Sequence, residues 1–332
     1  MSVKLGINGF GRIGRYLVRL LASDPELEVT AINARADNAA LARLFKYDSS
    51  YGIFQGTVDH DDDGLIINGR HIRVTRCKAG EWQWKELGVD IAVETTGTLK
   101  DRASLAQHLA CGARKVVISA PCKDADATIV MGVNQDVYDP AAHEVISAAS
   151  CTTNCLAPAA KVINDTFGIR HGLMTTIHSY TMSQRILDGS HKDPRRARAA
   201  CVSMIPTSTG AAKATALVIP ALKGKLDGMA VRVPTPTVSL VDLTCELDRP
   251  TDTAALNAAL KAASEGPLKE NMGFCEEPLV SIDYKGSTYG GVVDAMSTQV
   301  FNGTMAKLII WYDNEAGFTN QLVRLLRLVG RQ

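Results

Sequence analysis

A short apolar run, a glycine-rich turn and an amphipathic run leave this chain few folds to choose from. Residues 3–8 (VKLGIN) have the character of a buried strand, and Gly9-Phe10-Gly11-Arg12-Ile13-Gly14 follows at once. Residues 15–21 (RYLVRLL) have helical spacing, and residues 29–33 (VTAIN) form a second strand-like run. A G-x-G-x-x-G between strand and helix inside a βαβ unit is a dinucleotide-binding fingerprint. Its glycines allow the tight turn, the close approach of a pyrophosphate and close helix packing, while the helix N-terminus attracts the phosphates.

The same alternation continues downstream. Residues 38–45 are helix-like, residues 59–64 (DHDDDG) have the composition of a solvated hairpin turn, and residues 91–97 and 115–121 are buried strands joined by a helix over 99–113. The acidic run lacks the ligand spacing and closing Glu of a calcium loop, so no metal is expected. Strands alternating with helices predict a doubly wound parallel sheet over residues 1–150, with the ligand crevice at the carboxyl ends of the strands. At 332 residues the chain is long for one core, so two domains are expected. Beyond Cys151 the pattern changes. Residues 231–244 alternate as a sheet strand, and residues 279–284 and 305–312 read as its partners. This predicts an α+β domain over 151–313 with a mostly antiparallel sheet. Residues 182–204 read as a long irregular loop of the kind that is usually functional. An amphipathic helix within about 314–332 is expected to pack back on the first domain. The fold class is thus α/β, a Rossmann domain joined to an α+β domain.

The second strand is informative through an absence. A site for NAD normally offers Asp or Glu about twenty residues after the glycines, to bond the ribose 2′-hydroxyl. Here Asn33-Ala34-Arg35-Ala36 stands instead. Ala34 leaves no carboxylate to repel a 2′-phosphate, and Arg35 offers a charge to attract one. The competing reading makes Arg35 a solvated loop residue and takes the acid from Asp37. NADP is the expected cofactor, with NAD possible.

The chemistry centres on Ser150-Cys151-Thr152-Thr153-Asn154-Cys155. Ser and Thr favour helix caps, which puts Cys151 in a first helical turn among outward-pointing N–H groups. A thiol there is expected to have a lowered pKa and to act as a nucleophile. The plain alternative is that both cysteines are packing residues, the usual fate of free Cys. His178 ends an apolar run (MTTIHS) and is either a core histidine or, beside Cys151, its base. Arg195-Arg196-Ala197-Arg198, Thr207-Ser208-Thr209-Gly210 and Arg232 jointly offer guanidinium forks, hydroxyls and backbone N–H groups suited to phosphate.

Several motifs together resemble phosphorylating glyceraldehyde-3-phosphate dehydrogenase. These are residues 6–15 (GINGFGRIGR), 150–158 (SCTTNCLAP), 205–213 (IPTSTGAAK) and 311–315 (WYDNE), in the family's order along essentially the whole chain. The resemblance implies that Cys151 attacks an aldehyde, that His178 is the base, and that hydride leaves to a nicotinamide. Inorganic phosphate then cleaves the thioester. It further implies that Thr181 and Arg232 hold the phosphate of glyceraldehyde 3-phosphate. Ser150, Thr152, Thr209, Gly210 and Arg196 match the pocket for attacking phosphate. Arg12, Ile13, Ser119 and Asn314 match cofactor contacts, Cys155 matches a packing residue, and the family's homotetramer is expected.

The chain departs from the family pattern in four places. NAD-preferring members have Asp at Ala34, and an apolar residue and Pro at Gly189-Ser190; Ser190 instead adds a donor for a 2′-phosphate. Ala316 replaces the usual Trp, and Met182-Ser183 replaces a commoner Asn-Asp. An erythrose-4-phosphate dehydrogenase shares the fold and nucleophile. A non-catalytic redox sensor would need the histidine or the phosphate sites to be lost, and both are kept. With 36 Lys and Arg against 35 Asp and Glu, charge gives no reason to expect nucleic acid or an anionic membrane as partner. The chain start lacks a signal-peptide layout, no 18-residue apolar run exists, and eight scattered cysteines form no CxxC pair. A cytoplasmic protein with reduced thiols is the expectation.

Overall fold

The structure is a computed structural model that describes residues 2–331. The chain divides into two compact units. One takes in residues up to Ile129, Asp136–Ala149 and the chain from Leu322 onward; the other takes in Val130–Gln135 and Ser150–Gln321.

In the first unit β1 (Val3–Asn8), α1 (Arg12–Leu21), β2 (Leu27–Asn33) and α2 (Asn38–Lys46) come first. The short pair β3 (Tyr47–Asp48) and β4 (Gly52–Ile53) follows, then β5 (Val58–His60), β6 (Gly64–Ile67) and β7 (Arg70–Thr75). The unit continues with β8 (Ile91–Glu94), α3 (Arg102–Ala110), β9 (Lys115–Ile118), β10 (Ala127–Thr128) and β11 (Val145–Ser147). The large sheet has the order β10-β11-β9-β8-β1-β2-β7-β6-β5, parallel from β10 to β7 and antiparallel only at the β7-β6-β5 edge. β1 is flanked by β2 and β8, so the direction of winding reverses between β1 and β8, where a doubly wound sheet opens its crevice. The acidic run at 59–64 is indeed the β5–β6 turn, with Asp61 Oδ1 accepting from the Asp63 and Gly64 amides.

The second unit contains α4 (Cys151–Phe167), β12 (Ile169–Ser179), β13 (Ile205–Ser208), α5 (Ala211–Val218), β14 (Leu226–Val233) and β15 (Ser239–Leu247). After these come α6 (Thr253–Glu265), β16 (Met272–Cys275), β17 (Gly291–Phe301), β18 (Met305–Tyr312) and α7 (Ala316–Gly330), whose residues from Leu322 on belong to the first unit. Its sheet has the order β13-β14-β12-β15-β18-β17-β16 and is mostly antiparallel. β15 alternates strictly, with Val241, Leu243, Cys245 and Leu247 buried; each such side chain contributes roughly 1.5–3 kcal/mol of transfer free energy.

Two strand expectations need correction. Residues 231–244 are not one strand but the end of β14 and the start of β15, which lie on opposite sides of β12. Pro234 and Pro236 interrupt the run, because proline cannot donate to a ladder. Residues 279–284 are not a strand either; Ser281–Tyr284 is a 3₁₀ turn, and the antiparallel partner on that side is β17. Val280, Ile282 and Tyr284 alternate as in a strand, but Leu279 and Ile282 are three apart, the spacing of a short 3₁₀ turn.

Candidate active site

In the first unit the glycine turn behaves as its spacing demands. Gly9 has φ +101°, open to glycine at little cost. A Cβ on Gly14 would come within 2.4 Å of the Gly9 carbonyl, whereas a Cβ on Gly11 would meet nothing within 4 Å. Gly11 therefore borders open space at the start of α1, whose N-terminus has no side-chain cap. Uncapped N–H groups beside room for a ligand suit a pyrophosphate. Arg12 bonds Asp48 and lies over the Tyr51 ring, and Ile13 is half-buried beside it.

Beneath this turn a buried polar chain crosses the strand ends. Asn8 Nδ2 donates to Glu94 (2.6 Å), Asn33 Nδ2 donates to Asn8 Oδ1 (2.9 Å), and Asn33 Oδ1 accepts from Thr75 and the Cys77 amide. Ser119 Oγ donates to the Glu94 carbonyl. Asn33 is thus fully committed, and Ala34, the next residue, is buried. Asp37 accepts from the Ala40 amide at 2.8 Å and so serves as the N-cap of α2. Arg35 is exposed, and Arg76, which sequence reasoning passed over, reaches the same loop by donating to the Ala36 carbonyl.

In the second unit Ser150 caps α4 by accepting from the Thr153 amide (3.0 Å), an interaction worth ~1 kcal/mol. Cys151 is the first residue of that helix, two residues after Ala149, which holds φ +57°. Cys151 Sγ lies 3.5 Å from His178 Nε2. Sheet register explains the rest of the cluster. β12 and β14 run parallel with His178 opposite Arg232, and β13 pairs Ile205 with Arg232. Arg232 Nη1 lies 2.7 Å from His178 Nδ1, and the buried Arg232 Nε has no partner.

Tyr312 was missed by sequence reasoning. Its hydroxyl lies 2.9 Å from Thr152 Oγ1 and 2.8 Å from Thr176 Oγ1, and its ring meets His178 edge to face. Ser179 and Ser239 were also missed; both donate to Asn314 Oδ1, at 2.7 and 3.1 Å. Ser239 follows Val238, a buried β-branched residue at φ +66°, a rare and costly conformation. It is held by packing with Tyr284 and Val292. Nothing in the spacing of a lone serine or tyrosine distinguishes these residues from ordinary strand positions.

The site electrostatics correct one expectation. Burial pushes the Cys151 thiol above its ordinary value, outweighing the Arg232 charge and the Thr152 contacts that favour thiolate. Burial, aided by Arg232, lowers His178 to about 3. Both shifts favour the uncharged thiol and imidazole over the ion pair. Cys155 is fully buried, donates toward the Ile310 carbonyl at 3.6 Å, and is held well above the ordinary thiol value by burial. It is a packing residue.

The remaining sequence-derived positions lie as follows. Thr181 Oγ1 is 3.0 Å from Ser183 Oγ, which gives the Met182-Ser183 departure a contact. Arg196 Nε donates to Thr207 Oγ1, which donates to Asp193. Thr209 Oγ1 accepts from the Ala211 amide, and Gly210 stands before α5 with open space where a Cβ would be. Ser190 is exposed, its carbonyl accepting from Arg185. Ala316 is fully buried and donates its amide to Asp313. Among the described residues no cluster of three or more His, Cys, Asp or Glu side chains could hold a metal, no helix is long and apolar enough to cross a membrane, and all eight cysteines are free.

Comparison with known families agrees with this layout. Residues 3–102 match the domain described as "Glyceraldehyde 3-phosphate dehydrogenase, NAD binding domain", and residues 150–314 match the C-terminal domain of the same enzyme. The chain is 57% identical over 326 residues to glyceraldehyde-3-phosphate dehydrogenase of Geobacillus stearothermophilus, covering 98% of this chain and 97% of the relative. The chain belongs to the glyceraldehyde-3-phosphate dehydrogenase family. It is 55% identical to glyceraldehyde-3-phosphate dehydrogenase 1 of Bacillus subtilis strain 168 (100% and 99% covered) and 52% identical to the Streptomyces coelicolor protein of the same name (100% of both). Family membership makes the dinucleotide a nicotinamide one and the chain an oxidoreductase.

Proposed function

We propose that this family member oxidises glyceraldehyde 3-phosphate and phosphorylates it to 1,3-bisphosphoglycerate, reversibly, through a thioester on Cys151. The observation that carries the reading is Cys151 Sγ at 3.5 Å from His178 Nε2, beside a buried guanidinium whose Nε has no partner. An unpartnered buried N–H is costly until an anion meets it, which supports Arg232, with Thr181, as the holder of the substrate phosphate.

As Cys151 Sγ attacks the aldehyde carbon, His178 takes the thiol proton and then stabilises the oxyanion by giving it back. When bound, the nicotinamide supplies the hydride acceptor that turns the thiohemiacetal into a thioester. Ser150, Thr152, Arg196, Thr209 and Gly210 receive the attacking phosphate. Of these, Gly210 is exposed, and Ser150, Arg196 and Thr209 are half-buried; Thr152 is buried against Tyr312.

The cofactor is held by Gly9, Gly11, Arg12, Ile13, Gly14 and Ser119, with the Asn314 amide on the carboxamide. The Ser179 and Ser239 bonds to Asn314 Oδ1 leave its NH₂ end for that task. NADP is the preferred cofactor and NAD the lesser one. Ala34 brings no charge, Arg35 and Arg76 flank the same loop, and Asp37 is occupied as a helix cap; Ser190 would add a donor. We assign residues 1–150, with the last helix, to cofactor binding and 151–313 to catalysis. The protein acts as a cytoplasmic homotetramer; exposed Met182, Ile186, Leu187, Val202 and Met204 on one loop support assembly.

Steady-state rates with NAD and NADP side by side, with and without inorganic phosphate, test the reading. Phosphate-dependent reduction with the higher kcat/KM for NADP is expected. A higher value for NAD would overturn the cofactor preference, and a higher specificity constant for erythrose 4-phosphate would overturn the substrate.

A further inference from the structure

A buried carboxylate without a countercharge stands at the carboxyl end of β8. Glu94 closes that strand, and its register partner on β1 is Asn8, so the pair faces across the point where the winding reverses. The Glu94 side chain is fully buried. Its Oε2 accepts from Asn8 Nδ2 at 2.6 Å, and its Oε1 accepts from the Thr96 amide at 2.7 Å and from Thr96 Oγ1. His108 Nε2 lies 3.2 Å from Oε2, and Trp84 Nε1 donates to His108 Nδ1 at 2.9 Å. An indole only donates, so Nδ1 is bare and the one ring proton sits on Nε2, facing Glu94. Every partner of the carboxyl group is therefore a neutral donor, a set that suits an ionised carboxylate and cancels none of its charge. Among the described residues no lysine or arginine pairs with it.

The strand order lays the cofactor out along these ends. Its 2′-phosphate belongs beside Ala34, after β2, and its pyrophosphate at the N-terminus of α1, after β1. The nicotinamide half then extends the other way, toward the ends of β8 and β9, where Glu94 and Ser119 stand. Ser119 Oγ donates to the Glu94 carbonyl at 3.0 Å, which ties those two ends together. A nicotinamide ring is a cation when oxidised and neutral when reduced. We infer that Glu94 tunes cofactor affinity by oxidation state, holding the oxidised form more tightly than the reduced one. The inference rests on the cofactor reading above and goes beyond it. A fixed charge in a buried site with only neutral partners acts over several ångströms with little screening by salt. It attracts the cationic ring and has no such hold on the neutral one. Glu94 moves no proton and breaks no bond. His108, fully buried and stacked on the Trp82 ring at 3.7 Å, keeps water from the far side of the carboxylate.

The test is titration calorimetry of the full-length protein with NADP and with NADPH, which gives both dissociation constants without turnover. Glu94→Gln removes the charge and keeps the size of the side chain. It should weaken NADP relative to NADPH by about three- to tenfold, whereas loss of a brace alone would weaken both forms alike. Thr96→Val takes a donor from the same carboxylate and keeps its charge, so the ratio of the two constants should hold. A ratio unchanged in Glu94→Gln, or moved as far in Thr96→Val, would overturn the charge role and leave the cofactor site standing. If neither NADP nor NADPH binds the wild-type protein, the cofactor reading falls with it. Should Glu94→Gln fail to fold, the wild-type protein decides alone. NAD should then bind about three- to tenfold more tightly than its benzamide analogue, whose ring is planar, aromatic and uncharged; equal binding would overturn the inference.

Discussion

Acidification tests the burial of His178, because the fold must keep that ring neutral. Its ordinary value of 6.5 falls to about 3 in the folded protein, through burial first and the Arg232 charge second. The folded state therefore binds fewer protons than the unfolded state between about pH 6.5 and 3, and stability falls as pH drops through that window. At pH 4.5 the unfolded histidine is almost fully charged and the folded one is not. At about 1.4 kcal/mol per pH unit, the wild-type protein loses roughly 2–3 kcal/mol relative to pH 7 through this residue alone. The perturbation is His178→Gln, which keeps a polar side chain and cannot titrate. Urea unfolding of both proteins, followed by tryptophan fluorescence at pH 7 and 4.5, isolates the term as the change in their stability difference. Other acid-sensitive groups are common to both and cancel. The wild-type protein should lose about 2–3 kcal/mol more than the variant on acidification. An unchanged difference would mean that the ring charges freely in the folded state, and the neutral-imidazole account of the site would fail.

Three further outcomes follow from the same geometry. Cys151→Ser should abolish dehydrogenase activity while leaving NADP affinity, measured by fluorescence titration, within about twofold; joint loss would mean that Cys151 is structural. Ala34→Asp should move the ratio of kcat/KM toward NAD by at least tenfold, since it restores a carboxylate where the 2′-phosphate would sit; an unchanged ratio removes Ala34 from the argument. Gly291→Ala places a Cβ 2.9 Å from Ile310 Cγ2, 3.0 Å from the Cys155 carbonyl and 3.1 Å from Cys155 Sγ. Such overpacking behind α4 should cost about 1–3 kcal/mol in denaturant unfolding, and a neutral result would show that α4 yields easily.

The glycine turn, the parallel sheet and the cap at Ser150 were legible because each is a local rule: Gly9 needs its φ, Gly14 its close contact, and Ser150 its N–H partner. The split of residues 231–244 was not, since alternation continues across the two prolines while the chain crosses β12. Residues brought together by strand pairing were visible only as separate candidates. His178 and Arg232 are 54 positions apart, and only parallel pairing makes them neighbours. Ser179, Ser239 and Tyr312 gave no signal because they act by orienting other side chains. The expected drop in the Cys151 pKa failed for a related reason. Helix position can be read locally, but the neighbours that strand pairing brings to Cys151, His178 of β12 and Arg232 of β14, cannot, and here burial outweighs the charges.

The central claim is a thioester on Cys151 that waits for phosphate. Its most direct test is intact-protein mass spectrometry after mixing with glyceraldehyde 3-phosphate and excess NADP in phosphate-free buffer. The protein should gain the mass of one phosphoglyceroyl group, mapped to Cys151 by peptide analysis, and lose it when inorganic phosphate is added. Turnover without any such adduct, or an adduct that inorganic phosphate leaves in place, would contradict the account.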